Sequence, residues 1–297
     1  MQRPFLDALS EEVFLSDGAM GTEIYSRGIP INRCYEDLNL SAPKLVQEIH
    51  ESYLQAGAQV IQTNTFGANA FRLAPYGLEE KVQEINLRGA KIARQASQGM
   101  SYVAGSVGPI GREMVPTGEI SGSQVYDAFA SQIEALRDGG TDLIIIETFS
   151  SLEEAEIAYR AARATSDLPV VVQFSFHLFF GEDRLNRFNG PTPEETIKTI
   201  EQWGADVVGA NCGTDPRGIL ECIERMAKVS PMRLSAMPNA GLPEIVEGRI
   251  LYPASPEYMA TFARRLVQVG VSLIGGCCGT TPAMIRAMRN SLKPLIP

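Results

Sequence analysis

Asp142-Leu143-Ile144-Ile145-Ile146-Glu147-Thr148-Phe149 is the stretch that decides how this chain folds. Leu143 to Ile146 are all branched and apolar with no polar alternation, the pattern of a strand buried on both faces. Ser151 follows with Glu154 three residues on, a pattern that predicts a capping box and the start of a helix. Strands buried on both faces and followed at once by helices are the units of a parallel sheet, because parallel neighbours need a crossover. Glu147 breaks the apolar run at its carboxyl end.

The same unit recurs in both directions. Downstream, Pro169-Val170-Val171-Val172-Gln173-Phe174-Ser175-Phe176 reads as a strand. Thr192-Pro193-Glu194-Glu195 then gives an N-cap, a proline in the first turn and acids at the positive helix end. Val207-Val208-Gly209-Ala210-Asn211-Cys212 precedes a helix at 216–229, and a weaker strand at 233–241 precedes one that Ser255-Pro256 opens and Gly270 stops. Leu273-Ile274-Gly275-Gly276-Cys277-Cys278 precedes a last helix at 281–292. Upstream, strands read at 13–16, 60–66 and 102–107, with helices at 43–55, 78–96 and 124–137. Leu45, Val46, Ile49 and Tyr53 share one face of the first of these helices, and Gly57 stops it. Eight such units without a linker predict one α/β domain over 1–297, a closed (β/α)₈ TIM barrel. An open doubly wound sheet is the alternative, but no glycine-rich dinucleotide fingerprint follows the first strand. Residues 1–12 are expected to form a short helix closing the barrel floor.

The formal charge of -9 argues against nucleic acid or an anionic membrane as the main partner. No apolar run approaches the roughly 20 residues of a membrane span, and Met1-Gln2-Arg3-Pro4-Phe5 lacks the apolar core of a secretory signal. Five scattered cysteines do not make a disulfide framework, so the thiols are expected to be reduced and the protein cytoplasmic.

The unusual polar residues fall at carboxyl strand ends: Asp17, Asn64, Ser106, Glu147, Ser175, Asn211, Asn239 and Cys277. In a barrel those ends meet at one rim, where active sites are built. Cys212, Cys277 and Cys278 can there hold one soft divalent metal and leave a fourth position open, the pattern of a catalytic zinc site. Adjacent strand residues face opposite sides, so the paired cysteines share a metal only if the backbone turns sharply between them. Buried small residues or a vicinal disulfide are the bland readings of that pair. Cys34 and Cys222 read as a loop thiol and a helix core residue, His50 as structural and His177 as a loop residue. Asn64 belongs either to the site or to a tie between loops, and Arg112 faces either a donor phosphate or a neighbouring acid.

These residues resemble a known family. Asp17-Gly18-Ala19-Met20-Gly21-Thr22-Glu23, Thr63-Asn64-Thr65-Phe66-Gly67-Ala68, Gly105-Ser106-Val107-Gly108-Pro109, Glu147-Thr148-Phe149, Gly209-Ala210-Asn211-Cys212, Pro238-Asn239-Ala240-Gly241 and Gly275-Gly276-Cys277-Cys278-Gly279-Thr280-Thr281-Pro282 are similar to the zinc-dependent homocysteine S-methyltransferases. The likeness is strongest to the homocysteine-binding module of cobalamin-dependent methionine synthases. It implies a (β/α)₈ barrel with Cys212, Cys277 and Cys278 as ligands of one Zn²⁺, the substrate thiol taking the fourth position. It also implies that Asp17 and Glu147 hold the ammonium of L-homocysteine, that Gly21 and Thr22 lie by its carboxylate, and that Asn211 and Asn239 shape the pocket.

The expected reaction is methyl transfer to the homocysteine sulfur, giving L-methionine. The expected donor is methylcobalamin, supplied from methyltetrahydrofolate and carried by a separate module. S-methylmethionine is the second donor reading, and a non-catalytic homocysteine- or zinc-binding subunit is the third function. His50 and His177 are the only histidines and neither lies in an Asp-x-His-x-x-Gly pattern, so cobalamin is expected only through a partner protein. The aromatic loop Phe176-His177-Leu178-Phe179-Phe180-Gly181 reads either as a docking patch for such a partner or as packing on the rim.

Overall fold

The computed structural model describes residues 3–176, 178–180, 186–188, 190–247 and 249–293. Among them, eight parallel strands form one sheet: β1 Phe14–Leu15, β2 Val60–Gln62, β3 Tyr102–Val107, β4 Leu143–Phe149, β5 Val170–Phe174, β6 Val207–Asn211, β7 Leu234–Met237 and β8 Val271–Ile274. Each pairs with its sequence neighbours, and β8 returns to β1. A bridge between Ser16 and Val60 brings β1 to β2. There the Gln59 N–H donates to the Leu15 carbonyl at 2.7 Å and the Asp17 N–H to the Val60 carbonyl at 3.0 Å. The sheet is thereby a TIM barrel and not the open doubly wound alternative.

Alternation along the strands divides the core in two. Tyr102, Ala104, Leu143, Ile145, Val171, Val207 and Leu273 form one cluster inside the barrel. Their neighbours Val103, Val107, Ile144, Ile146, Val170 and Val172 pack outward in the cluster that includes the helices. Both faces are thus buried, which explains the continuous apolar runs. The floor is closed by the helix Phe5–Leu9, as expected. Its Phe5 ring lies 5.2 Å from Tyr102 and 6.1 Å from Phe14, and the Tyr102 hydroxyl donates to the Arg3 carbonyl at 2.8 Å.

The helices begin and end for local reasons. Thr192 and Glu195 cap each other reciprocally at the start of Pro193–Trp203, and Gly57 ends Pro43–Ala56 in a left-handed turn. Ser151 caps Leu152–Thr165, but the reciprocal half of the expected box is missing. The Glu154 carboxylate instead accepts the Ile110 N–H at 2.7 Å, tying down the long loop after β3. The helix expected at 78–96 starts later, at Val82, behind a 3₁₀ turn at Glu79–Lys81.

Two small hairpins were not anticipated, Leu178–Phe180 with Asn186–Phe188 and Glu244–Val246 with Arg249–Leu251. The first carries part of the aromatic loop read as a docking patch. His177 and Gly181 of that loop lie outside the described residues. Among the described residues, no helix is long and apolar enough to cross a membrane.

Candidate metal centre

Three sulfurs meet at the carboxyl ends of β6 and β8. The Sγ atoms of Cys212, Cys277 and Cys278 all lie within 4.8 Å of one another, with Cys212 and Cys278 at 4.0 Å. Three thiolates bound tetrahedrally to zinc at about 2.3 Å would stand about 3.8 Å apart. The donor set and its spacing therefore fit one soft divalent ion with a position left for a further ligand.

Local backbone geometry makes the cluster. Cys212 follows the last residue of β6 with φ 53°. Left-handed geometry is unusual for a cysteine and costs on the order of 1–3 kcal/mol. Cys277-Cys278-Gly279-Thr280 is a turn closed by the Thr280 N–H on the Cys277 carbonyl at 3.0 Å. Gly279, its third residue, has φ 78°, which favours glycine there. This is the sharp bend that lets adjacent cysteines face one ion.

The turn is strapped from several sides. The Cys277 N–H donates to the Pro238 carbonyl at 2.7 Å, and the Cys278 N–H to Asn239 Oδ1 at 3.1 Å. The Gly279 N–H donates to Thr22 Oγ1 at 3.2 Å. The Tyr53 hydroxyl sits between the carbonyls of Ala19 and Thr280, at 2.8 and 2.7 Å.

The electrostatics separate the cysteines. The thiols of Cys277 and Cys278 donate toward Cys212 and draw its pKa well below the usual thiol value, while giving up their own protons becomes harder. One sulfur is thus readily anionic, and a divalent cation would favour ionisation of the other two. Burial pushes Cys34 and Cys222 up to about 12, as suits inert thiols.

Two carboxylates line the same cleft as the thiols. Asp17 accepts from the Gln62 N–H at 2.8 Å, from Gln62 Nε2 at 3.1 Å and from Ser16 Oγ at 3.2 Å. Glu147 accepts from Ser106 Oγ at 2.5 Å and from Asn211 Nδ2 at 3.1 Å. Burial raises each to about 7, and for Glu147 the charges of Asp17 and Cys212 add to the rise. Among the described residues neither has a salt bridge to lysine or arginine.

The remaining expected residues fall as follows. Asn211 is fully buried and clasped by Thr148, whose N–H donates to Oδ1 at 2.9 Å and whose Oγ1 accepts from Nδ2 at 2.8 Å. The same Nδ2 lies 3.9 Å from Cys277 Sγ. Gly21 and Thr22 open the helix Gly21–Ser26 and line the cleft. Asn64 ties loops together, donating to the Tyr35 carbonyl at 2.7 Å and to Asn39 Oδ1 at 3.1 Å. Arg112 is exposed and lines the cleft. His50 is fully buried and drawn down to about 4 by desolvation, a structural position as expected.

Gln62, Thr148 and Tyr252 also line the cleft and were not singled out from the sequence. Gln62 left a signal, a polar side chain at an inward position beside Val60. Thr148 left none, because its φ of 65° is a property of the fold.

The homocysteine S-methyltransferase family model matches residues 14–292. This chain belongs to that family. Within the homocysteine S-methyltransferase family, methionine synthases of Mycobacterium tuberculosis and Mycobacterium leprae are each 32% identical to it, over 97% and 95% of its length. The chain spans only about a quarter of those relatives, 26% and 24%. The homocysteine methyltransferase MmuM of Escherichia coli, in its metallated form, superposes with TM-score 0.79 at 26% identity, covering 96% of this chain and 99% of that one. A methyltransferase from Methanosarcina mazei, 12% identical with TM-score 0.61, shares the fold.

Proposed function

We propose that this chain transfers a methyl group to the sulfur of L-homocysteine, giving L-methionine. One observation carries the reading: a three-thiol cluster and two buried carboxylates, which have no salt bridge to lysine or arginine among the described residues, share a single cleft. Zn²⁺ held by Cys212, Cys277 and Cys278 would supply the Lewis acidity that keeps a substrate thiol ionised near neutral pH.

The chain's own groups do the rest. Asp17 and Glu147 take the ammonium of the amino acid, and its positive charge draws both carboxyls into their ionised forms. Gln62, Ser16, Ser106 and Asn211 already hold those oxygens, so little reorganisation is needed on binding. The first N–H groups of the helix Gly21–Ser26 have no intrahelical acceptor and take the carboxylate. Asn211 reaches from Glu147 to Cys277, and Asn239 fixes the Cys278 N–H, so the amino-acid pocket and the thiols form one unit. Gripped at both charged groups, homocysteine presents its sulfur toward the thiols. The sulfur lone pair then takes the methyl group from the open side as the bond to the donor breaks.

The favoured donor is methylcobalamin on a separate module, supplied from methyltetrahydrofolate. The cleft, about 1170 Å³, is larger than homocysteine needs and leaves room for a bulky donor, and the sequence relatives are methionine synthases. S-methylmethionine is the second reading, supported by the end-to-end match to MmuM. The free cysteines suit a reducing, cytoplasmic compartment.

The test is to incubate the zinc-loaded chain with homocysteine and each donor in turn, measuring methionine and metal on the same sample. Cys277→Ala and Cys278→Ala are each expected to lose metal and activity together. Full activity without metal would overturn the reading. Tight binding of zinc and homocysteine with transfer from neither donor would make the chain a binding subunit instead.

A further inference from the structure

The strand that carries Glu147 is irregular beside it. Ile146 of β4 pairs with Val172 of β5, and Phe149 with Phe174, so β4 holds one residue more than β5 between these pairs. The extra residue makes a bulge, and bulges beside active sites re-aim side chains. Thr148, inside the bulge, has φ 65°, a left-handed backbone that a β-branched residue rarely adopts. Neighbours in a regular strand face opposite sides. Here Glu147 and Thr148 both line the cleft. The bulge brings Thr148 onto Asn211: the Thr148 N–H donates to Asn211 Oδ1 at 2.9 Å, and Asn211 Nδ2 donates to Thr148 Oγ1 at 2.8 Å. A backbone N–H can only donate, so the end of the amide that faces it must be the oxygen. The amide nitrogen is then the end that meets Glu147 Oε2, at 3.1 Å.

We infer that Thr148 is a positioning residue for the ammonium site: its N–H and hydroxyl together fix the polarity and tilt of the Asn211 amide, and so hold the Glu147 carboxylate where it meets a substrate ammonium. The inference rests on the reading of Glu147 as an ammonium-binding group. Glu147 Oε1 accepts from Ser106 Oγ and Oε2 from Asn211 Nδ2, so each oxygen has one donor and keeps a lone pair for the ligand. With the amide reversed, its oxygen would stand against the carboxylate and repel it. Only the Thr148 hydroxyl grips Nδ2 itself, so its removal frees the donor on which Glu147 depends. Strained backbone of this kind persists where the surrounding contacts over-determine it, and it gathers at binding sites. Thr148 is held on Asn211 by two atoms, and Asn211 is fully buried at the end of β6.

The experiment measures, by calorimetry on the whole zinc-loaded chain, the binding of L-homocysteine and of γ-mercaptobutyrate, which is homocysteine without its amino group. Thr148→Val removes the hydroxyl and keeps the side-chain shape. It is expected to weaken homocysteine about tenfold and to leave γ-mercaptobutyrate unchanged. Thr148→Ala, which also drops the β-branch that strains the backbone, is expected to show the same selective loss and serves if Thr148→Val does not fold. Thr148→Ser restores the hydroxyl and is expected to restore the preference for homocysteine. Equal weakening of both ligands, or of neither, would make Thr148 a packing residue and overturn the inference. Wild type binding the two ligands equally well would overturn the ammonium reading of Glu147, and this assignment with it.

Discussion

The Asp17 carboxyl, 2% exposed and raised by burial to about 7, is only partly ionised at neutral pH before any ligand arrives. Unfolded, it would titrate near its ordinary value of about 4. Between about pH 4 and pH 7 the folded chain thus holds a proton that the unfolded chain has released. Its contribution to stability is full below about pH 4 and is lost as pH rises through about 7. Asp17→Asn removes this dependence, and Gln62 can turn its amide, whose Oε1 has no partner, to meet the new one. The variant is expected to be more stable than wild type at pH 8 by on the order of 2–4 kcal/mol, with a smaller gain at pH 5. Urea unfolding at the two pH values checks this, and a gain equal at both would contradict it. Homocysteine affinity should fall in the same variant, by tenfold or more if an ammonium-binding charge is lost. The site therefore asks for a charge that the empty fold would rather neutralise.

In the elements, close approach between strands governs what the site can tolerate. Gly209 of β6 faces β7 so closely that a Cβ would meet the Ser235 carbonyl oxygen at 1.9 Å. Backbone cannot give way as a flexible side chain can. Gly209→Ala is expected to cost about 3 kcal/mol or more and to displace the strand end carrying Asn211 and Cys212. Denaturant unfolding with metal content on the same preparation tests this, and a variant as stable and as metal-rich as wild type would refute it. The strands and most helices were legible because burial on both faces writes a continuous apolar run and caps write local polar signals. The hairpin Glu244–Val246 with Arg249–Leu251 was not. Its strands are short and largely exposed, with Ile245 at 81%, so no core imposes a pattern on them. Glu154 misled for a related reason: its spacing from Ser151 fits a box, but its carboxylate finds the Ile110 N–H across the fold.

Across the whole molecule the barrel has two different ends. One is plugged by Phe5 against Phe14 and Tyr102, with Ala8 and Leu9 in the same cluster. The other opens into the cleft that holds the thiols and the carboxylates. Stability and chemistry are thereby separated along the barrel axis. Phe5→Ala is expected to cost about 3–5 kcal/mol of folding stability while leaving metal content per folded chain unchanged. Unfolding curves and metal analysis read the two quantities independently. Loss of metal in proportion to stability would show that the ends are coupled.

The sequence by itself determined the repeated strand–helix unit and the parallel sheet it requires, and it picked out the three cysteines that the fold gathers, because apolar periodicity and side-chain type are local properties. Only the tertiary structure decided that Cys212 and Cys278, 66 residues apart, stand 4.0 Å from each other, that Asn211 reaches both Glu147 and Cys277, and that Tyr252 lies on Gly279. Those contacts join different strand ends and loops. They are set by how the sheet closes and staggers, which no short stretch of chain encodes.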